Sequence, residues 1–307
     1  MGLPNRRHHF VPDFLLKHWI GPDRKLTYFQ WRSDGVLHTD RCGSRGAGYE
    51  EHLYSQNYPS GHKDTSVERD VLTALIDTPS APVHVKLLNG ELDSLKTTER
   101  ETWARFLVAQ LVRVPSMVQY LRDAGRHLLL ADIENLDPPD EIKEQLGNLT
   151  LQQYLETSAA WQLDNASTRA LEHVIKSSQL NEVFLQAHWA VHTIERSNLD
   201  LVIGDRPLLL EGQMTETFLF MLPLSPTVLF FAANDYEIVR NIAAHNQSDV
   251  VCTINMESIA VADKYVYATD TRQMAMVDQY LRKPSEPDDR HIVSGLNAAL
   301  VEKISAR

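Results

Sequence analysis

Apolar residues recur along this chain in two rhythms. Between Ser66 and about Gln186 they return every three or four positions, the period of amphipathic helices. After His188 that period fades, and short dense runs rich in β-branched and aromatic residues take over, as strands require. The expected strands are His188–Ile194, Leu201–Ile203, Leu208–Leu210, Phe218–Met221 and Val228–Ala232, with a helix over Asp235–Ile259 and a last strand at Ala262–Tyr267. Earlier, Pro12 opens a short apolar helix carrying Phe14, Leu15 and Trp19, which Gly21-Pro22 stops. Leu26–Trp31 and Val36–Thr39 read as a hairpin turning at Ser33-Asp34-Gly35.

In the helical region, Ser66 should cap a helix running to about Thr78, with Val67, Val71, Leu72, Leu75 and Ile76 as its apolar stripe and Pro79 and Pro82 ending it. A long helix over Thr98–Leu130 follows, kinked at Pro115. Asp137–Asp140 breaks the chain; a short helix spans Asp140–Leu146, and Leu149–Gln186 is helical in one or two pieces. The pattern predicts an α+β fold, with a helical N-terminal and central part packed on a mostly antiparallel C-terminal sheet. It reads as a single domain over 1–307, with sub-parts 1–186 and 187–307.

Polar residues that interrupt the apolar faces are the candidate chemistry. Glu68 falls on or beside a buried helix face, where a carboxylate must be paired, ligated or protonated. Gln110 falls on the stripe of the long helix, and Arg113 at its edge beside Pro115; Arg113 could pair with a buried acid such as Glu68. Asp205 follows a strand in the tight turn Gly204-Asp205-Arg206-Pro207. Arg6-Arg7-His8-His9 precedes the Pro12 helix and forms a local basic patch able to meet an anion. His8 and His9, as neighbours in an extended segment, point to opposite sides, so one metal cannot easily take both. The bland readings compete closely: a solvated terminus, a carboxylate at the stripe's edge, a structural ion pair, an ordinary turn aspartate.

Composition narrows the classes. The 307 residues are 43% hydrophobic and 23% charged, with net charge −11, so the overall field does not draw the chain to nucleic acid or anionic membrane. Two cysteines, Cys42 and Cys252, are too few for a disulfide framework or thiolate zinc site, and a reducing cytoplasmic setting is expected. No long apolar stretch follows the N-terminal arginines, so no secretory signal is visible. No run is long enough to span a bilayer. HExxH, CxxC, GxSxG and phosphate-loop motifs are absent.

The run from His8 through Phe10-Val11-Pro12-Asp13-Phe14-Leu15-Leu16-Lys17-His18-Trp19 resembles the opening of the DUF4238 family of mainly bacterial and fungal proteins. Glu68, Gln110 with Arg113-Val114-Pro115, Gly204-Asp205-Arg206-Pro207, Pro223-Leu224-Ser225-Pro226, Asn255 and Tyr267 resemble the family's later motifs in order. Gly204 stands where the family pattern has serine, and Val114 where it has a small polar residue. The resemblance implies a shared fold and a shared site, and supplies no established activity.

Two functions from different classes follow. The first is a hydrolase-like site for an anionic substrate, a phosphoester or nucleic acid, working with a divalent metal or by acid–base catalysis alone. His8, His9, Glu68, Gln110, Arg113 and Asp205 would form it, with His9, Glu68 and Asp205 as metal ligands. Arg6, Arg7 and Asn255 would bind substrate. The second is a non-enzymatic interaction or regulatory protein, in which the same residues form a buried structural network. A cleft exposing these side chains favours the first; burial with mutual pairing favours the second.

Overall fold

The strand pair Phe218–Ser225 and Val228–Ala233 is buried on both faces, and the rest of the chain is arranged to cover it. In the computed structural model, which describes residues 6–133, 136–138 and 140–284, twelve strands are defined among the described residues. They are β1 Arg7–His9, β2 Leu26–Trp31, β3 Leu37–Cys42, β4 Tyr49–Glu51, β5 Gln56–Asn57, β6 Lys63–Asp64, β7 His188–Thr193, β8 Ile203–Gly204, β9 Leu209–Gly212, β10 Phe218–Ser225, β11 Val228–Ala233 and β12 Val266–Ala268. The α-helices are α1 Asp13–Leu16, α2 Thr78–Leu88, α3 Thr97–Val112, α4 Pro115–Ile133, α5 Asp140–Leu146, α6 Leu151–Thr157, α7 Ala160–Ile175, α8 Ser178–Gln186, α9 Tyr236–Ala244, α10 Gln247–Val261 and α11 Met274–Tyr280. All described strand pairs are antiparallel, and the fold is α+β.

One four-stranded sheet has the order β7-β11-β10-β9. Its alternate residues face two cores, as the period of two demands. Phe218, Phe220, Leu222, Phe230 and Ala232 join the main core with Trp103, Phe106 and Phe184 of the helices. Leu219, Met221, Leu229 and Phe231 join a second core with Val239, Val251 and Ile254 of α9 and α10. Burial on both faces explains why these strands read as continuous apolar runs.

The second four-stranded sheet has the order β3-β2-β12-β8. The N-terminal hairpin therefore pairs with the last strand, Phe29 opposite Val266 and Thr27 opposite Ala268. The expected hairpin of the mainly helical first part, 1–186, is thereby joined to a strand of the sheet-rich second part. Trp19 and Trp31 bind the same regions through their indole N–H groups, to Leu201 O and Leu281 O, each at 2.8 Å. Residues 285–307 of the expected second part lie outside the described residues.

The helices depart from expectation where winding or capping changes. Val67–Asp77 forms a π-helix that runs directly into α2, so the chain stays helical through Pro79 and Pro82. Pro79 and Pro82 bring no N–H to the helix, and the change from π to α winding falls at this junction. The wider winding also turns Leu75 out to 36% exposure while Val67, Glu68, Val71, Leu72 and Ile76 are buried. The expected kink at Pro115 is a full break: α3 ends at Val112, Arg113 is its C-cap, and Pro115 starts α4. The expected helix over Asp235–Ile259 divides at His245-Asn246, where Asn246 Oδ1 accepts from Ser248 N and caps α10. No helix among the described residues is long and apolar enough to cross a membrane.

Gly204 is fixed by packing. A Cβ there would stand 2.7 Å from Ser258 O and 3.2 Å from Ala262 Cβ, because β8 lies directly against α10. A side chain at this position would have to displace the Ser258 carbonyl or the Ala262 methyl. Gly204→Ser is expected to lower stability by about 1–3 kcal/mol, read as a lower urea midpoint. An unchanged midpoint would contradict the close approach of β8 to α10.

Candidate functional site

The short strand β1 brings the first polar group into place. It pairs with β4 so that Arg7 faces Glu51, His8 faces Glu50 and His9 faces Tyr49. Arg6 O accepts from His52 N, and the ladder alternates from there. His9 is consequently a residue whose N–H and C=O point away from β4. Two helix side chains meet them. Glu68 Oε1 accepts from His9 N at 3.3 Å, and Arg113 Nη2 donates to His9 O at 3.0 Å. Side chains thus complete the edge of β1 where a further strand would otherwise pair.

Arg113 is fully buried. Its expected partner was Glu68; its actual ion pair is with Asp77, Nη1 to Oδ1 at 2.7 Å and Nη2 to Oδ2 at 3.2 Å. The π-helix explains the difference. Asp77 lies nine residues after Glu68. That is two and a half turns of an α-helix, the opposite side, but about two turns of a π-helix, the same side. Sequence reasoning missed Asp77 because it assumed α-helical winding. Tyr54, also missed, is buried; its hydroxyl donates to Arg113 O, and its N–H donates to His8 Nδ1 at 3.0 Å. His8 itself is buried and stacks on the Tyr54 ring at 5.6 Å.

The electrostatics follow from burial. Desolvation raises Glu68 to about 7, against the opposing pull of Arg113. Desolvation, then Arg113, lowers the His9 imidazole. Glu68 Oε2, His9 Nε2 and both amide atoms of Gln110 are buried without a hydrogen-bond partner among the described residues. Gln110 is 2% exposed and sits one helical turn before Arg113, on the same face.

The remaining expected members lie elsewhere. Asp205 is committed to the loop that follows α10. Its Oδ1 accepts from Asp263 N at 2.7 Å, and its Oδ2 from Lys264 N and Tyr265 N, each at 2.8 Å. Burial and the neighbouring Asp263 raise it to about 6 despite those three donors. The metal set His9, Glu68 and Asp205 is therefore not assembled, and no group of three or more His, Cys, Asp or Glu among the described residues could hold a metal ion. Asn255, expected to bind substrate, is fully buried: its Oδ1 accepts from Val202 N and its Nδ2 donates to Asp200 O, both at 2.9 Å. It ties α10 to the approach of β8. Arg6 and Arg7 are exposed, but the Arg7 guanidinium lies 4.8 Å over the Tyr49 ring and faces Glu51 across the ribbon. The basic patch is thus interleaved with acids. At the Pro12 helix, where an anion was expected, α1 has only four residues and opens on an acid, Asp13.

Two stability measurements check this geometry. Asp77→Asn leaves a buried guanidinium without its counter-charge and is expected to cost about 3–5 kcal/mol, seen in urea unfolding. Glu68→Gln keeps an acceptor for His9 N and removes the titrating group. Because the folded pKa of Glu68 lies above its unfolded value, the wild type binds the extra proton when folded and loses that stabilisation as pH rises through 7. The variant should gain on the wild type between pH 4.5 and 8, by roughly 3 kcal/mol. A pH-independent difference would refute the buried position of Glu68.

No curated protein and no solved structure matches the chain. A family model described as a protein of unknown function, DUF4238, matches residues 7–272. That span covers the β1 edge, the π-helix, Arg113, both sheets and the Asp205 loop, and the chain belongs to the DUF4238 family.

Proposed function

We propose that the polar cluster is a structural lock, and that this chain acts as an interaction or regulatory protein rather than by catalysis at the cluster. One observation carries the reading: the His9 peptide is held on its N–H by Glu68 and on its C=O by Arg113, whose charge Asp77 balances. A guanidinium committed in this way has little charge left to neutralise a substrate. The commitments of Asp205 and Asn255 to backbone groups support the same reading. So does burial, since Glu68 is 4% exposed and Gln110 2%.

A second reading rests on what the lock leaves unspent. Glu68 Oε2, His9 Nε2 and the Gln110 amide have no hydrogen-bond partner among the described residues. A carboxyl raised to about 7 beside a lowered imidazole suits acid–base exchange near neutral pH. This is a hydrolase-like site without the His9–Glu68–Asp205 metal triad, admitting a phosphoester or oligonucleotide past the exposed Arg6 and Arg7.

Glu68→Gln separates the two, because it preserves the bond to His9 N and abolishes the proton exchange. Wild type and variant are assayed on p-nitrophenyl phosphate, bis(p-nitrophenyl) phosphate, p-nitrophenyl acetate and labelled DNA and RNA, with folding followed by circular dichroism. The lock predicts no turnover that depends on Glu68. Turnover by the wild type that is lost in a folded Glu68→Gln overturns the lock in favour of the hydrolase.

A further inference from the structure

A cavity of about 370 Å³ opens between the β1–β4 ribbon and the sheet that contains β2 and β12. Its size falls within the range of small-molecule sites. Four tyrosines line it, Tyr28, Tyr49, Tyr265 and Tyr267, together with Glu50 and Glu51 at its rim. The lining includes no Lys, Arg or His among the described residues. Tyr28 meets Tyr265 edge-on at 6.2 Å, and Tyr265 stacks on Tyr267 at 6.1 Å, so the rings form one cluster. Tyr267 is anchored at the back, its hydroxyl accepting from Gly48 N at 3.1 Å.

This cluster already holds positive charge at its margins. The chain's own Arg7 guanidinium lies 4.8 Å from the Tyr49 ring centroid, and the Lys264 ammonium lies 4.9 Å from that of Tyr265. Electron-rich ring faces attract cations, most strongly when water is partly excluded. Glu50 and Glu51 are both exposed, and they add negative potential at the entrance. Asp40 deepens the field, since it acts with burial to raise both Tyr28 and Cys42. The raised Cys42 thiol makes a thiolate nucleophile in this cavity a poor alternative.

We propose that this cavity binds an organic ammonium group, its methyl or methylene shell against the tyrosine rings and its charge facing Glu51, which shares a face of β4 with Tyr49. The inference goes beyond the lock and is independent of whether Glu68 is structural or catalytic. The same ammonium chemistry occurs on a free small molecule and on a methylated lysine side chain of a partner protein.

Calorimetric titration of the full chain distinguishes the outcomes. Choline represents the free ligand, and a short trimethyllysine peptide represents the side chain. The uncharged analogue 3,3-dimethylbutan-1-ol has the shape of choline without its charge. At least one cation is expected to bind, with the uncharged analogue clearly weaker. Tighter binding of choline assigns the site to a free ligand, and tighter binding of the peptide to a partner. Tyr265→Leu, which retains apolar volume at a half-buried position, should weaken the cation by about 2- to 30-fold. Glu51→Gln, on the exposed rim, should weaken it as well. Circular dichroism confirms that both variants fold. Equal binding of the uncharged analogue, undiminished binding by folded Tyr265→Leu, or no binding of either cation at millimolar concentration overturns the proposal. None of these results bears on the Glu68→Gln assay.

Discussion

The burial of Arg113 is the constraint around which the N-terminal half is organised. A guanidinium removed from water must find a counter-charge and donate its hydrogen bonds, or it would cost several kcal/mol. Asp77 supplies the charge from the last residue of the π-helix, and the β1 backbone takes a further bond. Those two demands fix the winding of Val67–Asp77, the break between α3 and α4 at the arginine, and the seating of β1. Tyr54 closes the arrangement by bonding both Arg113 O and the His8 ring. The polar centre and the chain path are one solution to a single desolvation problem.

Much of the architecture was legible from apolar spacing. β2, β10, β11 and α5 fall where the patterns place them, the strands through their apolar runs and α5 between the Asp137–Asp140 break and Gly147. What could not be read depended on partners distant in sequence. β1 has only three residues and exists through pairing with β4 and the two side chains on its outer edge. The second sheet joins a hairpin near residue 30 to a strand near residue 267, which no local signal announces.

The candidate site was legible to a similar depth. His9, Glu68 and Arg113 meet, with Gln110 one turn away, because polar residues on apolar helix faces must be reconciled inside. Asp205 and Asn255 carried the same outward signal of polarity near buried segments, yet each serves nearby backbone groups. Sequence identifies residues that need a partner. It does not reveal whether that partner is a ligand, a carboxylate or a peptide N–H.

The pairing of β2 with β12 has a consequence for how the molecule is made. Strand partners some 240 residues apart can meet only after a very large loop has closed. During synthesis the hairpin β2–β3 emerges early and must wait, with the inner edge of β2 unpaired, until Val266–Ala268 has left the ribosome. Folding of this sheet is therefore set by topology rather than by local propensity, and is expected to be among the slow events of the pathway. The waiting edge also makes the unfinished chain a natural client for chaperones.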